Sequence, residues 1–343
     1  MSGKHNAAFL DGAGKAFRVD SIETKKPGKG EVLIRNRALA INPVDWKVQD
    51  SGYFLEEFPS ILGEDVAGEI EAVGDGVTRF KPGQRVLAHS QFLFNKKLEQ
   101  AGFQEKVIVP EVSVAAIPDS MKFEDAAVLP LAVSTAAAGL YQPKKEICLE
   151  LDLPSTKPSK SGKTLLVWGG SASVGTAAIQ LAVASGLTVV TTCSERNFGL
   201  VQKLGAKAFD YNSPSIVGDL IAELGTGDFV GGYDAIGTRE SEMQCAQVIG
   251  SMGGGILSTV LPPPDELPAK VQAKQVLALT IFAGSNAFVG KSVYEDFLPK
   301  ALASGQFVPA PPAEVVGNGV DAIQEACKKQ KAGVSGKKIV VTL

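Results

Sequence analysis

A chain of 343 residues is long enough for two domains with separate cores, and its formal charge of −3, without a basic run or basic-aromatic interleaving, leaves no electrostatic footprint for nucleic acid. The four cysteines, Cys148, Cys193, Cys245 and Cys327, are scattered without a C-x-x-C pair, which argues against a disulfide scaffold or a cysteine zinc site and fits reduced thiols. The first ten residues lack an apolar signal core and no run of about 18 uninterrupted apolar residues occurs, so neither export nor a membrane is expected, and the protein reads as cytoplasmic.

The first 130 residues read mainly as strands and turns. Apolar and polar positions alternate on both sides of Pro27-Gly28-Lys29-Gly30, which predicts short antiparallel strands about that turn. A strand at 66–73, a turn at Gly74-Asp75-Gly76, a turn at Lys81-Pro82-Gly83 and a strand at 84–88 continue the style. From 123 to 141 the spacing becomes helical, with Pro130 breaking it. Residues 142–162, polar and rich in lysine and proline, predict a surface loop long enough to be functional.

At 165–182 an apolar run, Leu165-Leu166-Val167-Trp168, meets tiny residues and passes into an alanine-rich amphipathic stretch: strand, tight turn, helix. Gly170, Ala172 and Gly175 hold the spacing of the dinucleotide fingerprint G-x-G-x-x-G, with alanine at the middle position. Strands at 187–193, 208–211, 232–236, 255–260 and 276–282 then alternate with helices at 197–204, 215–224 and 241–249. A helix at 293–304 and a closing strand follow. This is the pattern of an α/β chain with a doubly wound parallel sheet. The closing strand needs a sheet to join and is assigned to the β-rich part, giving domains of 1–130, completed by about 305–343, and 131–304.

The end of the second strand of that sheet carries the cofactor choice. An acidic residue roughly 20 residues beyond the fingerprint would bind the ribose hydroxyls of NAD. Here Thr191-Thr192-Cys193-Ser194-Glu195-Arg196-Asn197 offers hydroxyls, an amide and a guanidinium suited to a 2′-phosphate, which favours NADP. Glu195 dissents, and Ser194 is equally suited to capping the next helix.

Asn42-Pro43-Val44-Asp45-Trp46-Lys47, Gly63-Glu64-Asp65-Val66-Ala67-Gly68, Lys81-Pro82-Gly83-Gln84-Arg85-Val86 and the glycine-rich stretch occur in an order and spacing that resembles the medium-chain dehydrogenase/reductase superfamily over nearly the whole chain. The resemblance implies a GroES-like substrate domain interrupted by a Rossmann nucleotide domain, with the active site in the cleft between them. Zinc alcohol dehydrogenases of that superfamily place cysteine at the position of Asn42, histidine at that of Glu64 and another ligand near Leu131. An amide, a carboxylate and an aliphatic stand there instead, so no catalytic metal is expected. Without a metal to polarise a carbonyl, hydride transfer to an activated C=C bond is easier, as in the quinone and enoyl reductase branch. The local wording is most similar to the fungal trans-acting enoyl reductases of ToxD type that serve polyketide synthases, which implies a small-molecule or acyl-carrier-bound unsaturated substrate.

The same resemblance implies site residues. Hydride delivery to the β-carbon of an enone leaves charge on the distant oxygen, and a donor must meet it. Lys47 matches the family's active-site lysine, Thr135 the threonine facing the nicotinamide, and Tyr53 lies near a tyrosine used for proton donation. Asn42 and Asp45 shape the loop presenting Trp46 and Lys47, with Asp45, Trp46 and Lys47 beside the cofactor. Gly170, Ser171, Ala172, Ser173, Val174 and Gly175 would hold the pyrophosphate of NADPH, and Ser194, Arg196 and Asn197 its 2′-phosphate. Tyr211 would reach the phosphate or adenine, Ile236 and Val260 flank the nicotinamide, and Val334 and Ser335 add a C-terminal contact. Leu131, Thr135, Thr280 and Phe282 would line the substrate channel, while His5 and His89 match no catalytic role. The hydride chemistry leaves an NADPH:quinone oxidoreductase as the alternative acceptor reading, and a non-catalytic NADPH-binding scaffold as the alternative class. Superfamily dimers pair through an edge strand, here expected at 280–286, whereas the fungal branch implies a monomer.

Overall fold

The computed structural model describes residues 3–225 and 227–343. The chain divides into two units, Met1–Leu131 with Leu302–Leu343, and Ala132–Ala301.

In the first unit, β1 (Lys4–Leu10) pairs antiparallel with β2 (Phe17–Glu23) and briefly with β4 (Ser60–Ile61). β3 (Glu31–Ala40) lies in a second sheet with β5 (Asp65–Val73), β6 (Arg85–His89), β7 (Lys106–Pro110) and β8 (Val114–Ala116). The turn at residues 27–30 therefore links two sheets and does not close the local pair its pattern suggested. The reason is burial. β2 is mostly exposed and serves as an edge, whereas β3 is buried along most of its length and takes partners on both sides. Val32, Ile34, Leu39, Val66, Ile70 and Val86 from these strands form one core, each buried aliphatic contributing about 1.5–3 kcal/mol.

Helix α1 (Pro43–Ser51) follows β3 directly. The helical stretch predicted at 123–141 is two pieces, a short helix Phe123–Ala126 and α2 (Pro130–Tyr141). Pro130 opens the second piece, at the first helical position, whose N–H would have no intrahelical acceptor. By length and hydropathy Phe123–Tyr141 resembles a membrane span, but 78% of its most apolar window is buried in the protein.

The second unit holds six strands, β9 (Lys163–Trp168), β10 (Thr188–Cys193), β11 (Ala206–Asp210), β12 (Asp228–Asp234), β13 (Gly255–Thr259) and β14 (Val271–Gln275), counted over the described residues. All pair in parallel, in the order β11-β10-β9-β12-β13-β14. The order reverses beside β9, the switch point at which doubly wound sheets bind nucleotides. The crossover helices include α3 (Ser173–Ala184), α4 (Phe198–Lys203), α5 (Ile216–Leu224) and α6 (Arg239–Ser251). Leu166, Trp168 and Val190 pack with Leu220 and Leu224 of α5 and with Val248 and Ile249 of α6. Leu165 and Val167, pointing the other way, are buried too, which explains an unbroken apolar run.

Two expectations need correction. The last strand of this sheet lies at Val271–Gln275, and Ala278–Phe282 is a short 3-10 turn. β14 reads Val-Gln-Ala-Lys-Gln, an outer strand whose polar positions conceal it from a search for apolar runs. Residues 280–286 consequently offer no edge for pairing. The N–H groups of Thr280, Ala283 and Asn286 are spent on the turn carbonyls of Leu277, Thr280 and Ala283. The long loop 142–162 is also held in place: Leu149 and Leu151 bond back to Gly139 and Leu140 of α2, and Ser155 and Ser161 bond to Ala184 and Gly186 at the end of α3.

The chain closes the first unit with β15 (Ala313–Asn318), α7 (Ile323–Lys331) and β16 (Lys338–Thr342). β16 pairs antiparallel with β3, Val340 opposite Ala40, and parallel with β15.

Candidate active site

In the first unit the candidate residues are organised by α1. Asn42 is its N-cap, Pro43 its first residue, and the Asp45 carboxylate accepts the Asn42 N–H at 2.7 Å. Gly52 ends the helix at φ +71°, its N–H on the Val48 carbonyl at 2.8 Å. Asp45, Val48 and Gln49 face inward, which leaves Lys47 exposed. Trp46 packs against the unit's core, donates its indole N–H to Gln330 Oε1, and has the Lys47 and Lys331 ammonium groups 5.7 and 5.6 Å from its ring. Tyr53 is 68% exposed and packs on Phe54, ring centroids 4.2 Å apart. Val334 packs on the core and Ser335 is exposed.

Behind α1 lies a buried polar cluster. The Asp65 carboxylate accepts the Asn42 amide N–H at 2.8 Å and the Leu131 N–H at 2.6 Å, and pairs with Lys338 Nζ at 2.9 Å. The same ammonium donates to Asn42 Oδ1. Glu64 Oε2 meets His89 Nε2 at 3.2 Å, and Glu64 Oε1 has no hydrogen-bond partner among the described residues. Burial pushes the Glu64 carboxyl above its ordinary pKa, with His89 opposing, and drives Asp45 further upward. Strand register explains the gathering. Ala40 stands opposite both Val340 and Asp65, and Asp65 opposite His89. Two residues after Ala40 and two before Val340, on the same face, Asn42 and Lys338 meet.

In the second unit the turn between β9 and α3 is backbone-tight. Gly169 has φ +78°, and Ile236 lies where a Cβ on it would be, 2.4 Å away. A Cβ on Gly170 would sit 2.1 Å from Thr191 Oγ1, and one on Gly175 2.2 Å from the Gly169 carbonyl oxygen. Ala172 is the N-cap of α3, and Ser171, Ala172, Ser173 and Val174 remain partly exposed where the helix presents its first N–H groups. Asn197 Nδ2 donates to both Ser171 Oγ and Ser194 Oγ at 3.2 Å, tying the glycine turn to the loop after β10. Arg196 and Glu195 are both exposed there. Tyr211 and Ile236 are exposed and Val260 is half-buried. This is a cradle that fits a dinucleotide, since the backbone approaches closely and a helix N-terminus opens onto it.

Thr135 is buried on α2, where its carbonyl accepts the Tyr233 hydroxyl at 2.7 Å. Thr280 Oγ1 is engaged by Gln142 Nε2 at 2.7 Å, and Phe282 packs edge-on to Tyr294 at 5.1 Å. Leu131 is half-buried in the first unit.

Residues 28–119 match the alcohol dehydrogenase GroES-like domain family. The chain is 44% identical to the trans-enoyl reductase himH of Aspergillus japonicus, over 91% of this chain and 90% of that one. It belongs to the medium-chain dehydrogenase/reductase superfamily. This superfamily member is also 38% identical to cipB of Emericella nidulans, described as a zinc-binding alcohol dehydrogenase domain-containing protein, over 95% and 94% of the two chains. A solved alcohol dehydrogenase superfamily protein from Novosphingobium aromaticivorans shares its fold, with TM-score 0.79 over 99% of each chain at 23% identity. Membership of this superfamily makes the chain an oxidoreductase and implies a nicotinamide cofactor.

Two features have no distinct signal in the sequence. Gly169, the left-handed residue of the turn, precedes the fingerprint spacing and reads only as a second glycine. Lys338 reads as a solvated lysine before an apolar run, yet it is buried.

Proposed function

We propose that this reductase uses NADPH, without a catalytic zinc, to reduce the activated C=C bond of an enoyl thioester or 2-alkenal in fungal secondary metabolism, including substrates held on an acyl carrier. The observation that carries the metal-free part is the donor set. Asn42 presents an amide already bonded to Asp65 and Lys338, Leu131 an aliphatic side chain, and a buried ammonium stands among them. A catalytic zinc needs three protein ligands and an open position. Among the described residues no three His, Cys, Asp or Glu side chains are arranged to hold a metal ion. These residues do not fit zinc. The name of himH, a trans-enoyl reductase, supports the acceptor class.

When bound, the nicotinamide supplies the hydride. The turn at residues 170–175 and the start of α3 hold the pyrophosphate, and Ser194, Arg196 and Asn197 favour a 2′-phosphate where NAD enzymes keep a carboxylate. The exposed Lys47 ammonium stabilises the oxygen on which charge develops, Thr135 orients the cofactor or substrate, and the exposed Tyr53 phenol donates the proton.

The test is NADPH oxidation with crotonyl-type thioesters, 2-alkenals and naphthoquinones. Enoyl turnover that falls at least tenfold in Lys47→Ala is expected, on the roughly 10²–10³ scale of losing an electrostatic donor. Turnover of naphthoquinone alone, full activity in Lys47→Ala, or about one zinc per purified chain would each overturn the corresponding part.

A further inference from the structure

We infer that the Lys338 ammonium is a built-in cation that positions α1, and with it Lys47, by drawing Asn42 and Asp65 together. The inference deepens the proposed reading by saying what holds Lys47, and it rests on that reading only for the role of Lys47. Lys338 and Asp65 are 3% and 0% exposed, so both charges have left water. Such a pair persists only where the geometry is good and the remaining lone pairs are engaged. That condition is met here. One Asp65 oxygen takes Lys338 and the Asn42 amide, and the other takes the Leu131 N–H. Lys338 also donates to Asn42 Oδ1.

The chain of consequence is short. Asn42 is the N-cap of α1, and the Asn42 N–H is bound by Asp45, the third residue of that helix. Fixing the Asn42 side chain on both its oxygen and its nitrogen therefore fixes the first turn, two residues from Lys47. Asp45 is buried close enough to feel the charges of Lys338, Asp65 and Glu64, and Glu64 that of Asp65. His89 and Lys96 act on Glu64 from the neighbouring segments. Removing the cation leaves Asp65 as an uncompensated buried anion, the costly state for such a pair. Replacing both partners by neutral groups removes that anion.

The experiment compares Lys338→Met, Asp65→Asn and the double variant by hydrogen exchange of the 43–51 backbone, urea unfolding, and enoyl-reductase kcat. Each single variant is expected to speed exchange in α1 while leaving β10 and α3 unchanged, and to lower kcat by up to roughly 100-fold, the scale of a misplacement of about 1 Å remote from the chemistry. The double variant, free of the buried anion but still without the cation on Asn42, is expected to recover only part of the α1 protection and of kcat, beyond either single variant. A merely space-filling lysine predicts no such recovery. Unchanged exchange in α1, or a double variant no better than Lys338→Met, overturns the inference. If Lys338→Met fails to fold, a folded double variant supports it and an unfolded one overturns it. The exchange readout needs no acceptor, so failure here is distinguishable from a wrong choice of substrate.

Discussion

Alanine at Gly175 and alanine at Gly218 are the same chemical change in helices of the same unit, and they are expected to act with opposite signs. At Gly175 the added Cβ falls 2.2 Å from the Gly169 carbonyl oxygen and 2.8 Å from Gly170 Cα. Both are backbone atoms, so relief requires the glycine turn and α3 to part by about 1 Å or more. Overpacking of this kind costs about 1–3 kcal/mol, at the upper end where no flexible side chain can yield. The better helix propensity of alanine returns about 0.8–1 kcal/mol. The net is a loss of about 1–2 kcal/mol, or a Tm drop of about 2–8 °C at about 2–4 °C per kcal/mol for a unit of this size. At Gly218, within α5, a Cβ meets nothing within 4 Å, so only the propensity gain of about 0.5–1 kcal/mol remains. Thermal and urea unfolding, followed by the fluorescence of buried Trp168, measures both, and NADPH titration reports the turn. Gly175→Ala should also weaken NADPH binding while Gly218→Ala leaves it unchanged. A Gly175→Ala protein as stable as the parent, or a Gly218→Ala protein destabilised to the same degree, would refute the reasoning.

Three further outcomes are expected. The Glu64 carboxyl is held above its ordinary pKa by burial, so the folded chain keeps that proton to higher pH than the unfolded chain. Its contribution is therefore fully present below about pH 4.3 and is lost as pH rises through the folded value. Glu64→Gln should gain stability relative to the parent as pH rises from about 4 to 7, and a flat difference in urea stability across that range would contradict the assignment. All four thiols are buried, with Cys148 and Cys193 pushed up to about 11 and Cys245 and Cys327 also raised. An aromatic disulfide reagent at pH 8 should label the native protein slowly and all four positions after denaturation; one rapid equivalent in the native state would show a thiolate that burial forbids. Arg196→Ala should weaken NADPH more than NADH, with a lower ratio of kcat/KM values, whereas an equal effect on both cofactors would remove Arg196 from 2′-phosphate recognition.

The sequence by itself determines what local chemistry dictates. The run Leu165 to Trp168, entering a turn of tiny residues and then an alanine-rich helix, requires a strand buried on both faces and hence a parallel sheet. The alternating first part requires antiparallel strands, and the residues at positions 42, 64 and 131 identify the chemistry of their own donors. Local pattern failed where a partner decides the outcome. β14 is a strand because β13 offers it an edge in register, Gly255 opposite Val271, and its own polar residues do not announce it. β2 and β3 flank a good turn yet join different sheets, because β2 pairs with β1, the strand before it, while β3 is buried among the more distant β5, β7 and β16. The sharpest case is Lys338. Composition and spacing can say only that a lysine precedes an apolar strand, for which solvation is the ordinary fate. That it is buried between Asn42 and Asp65 follows from two strand registers joining segments almost the full chain apart, and only the folded sheet brings those charges together.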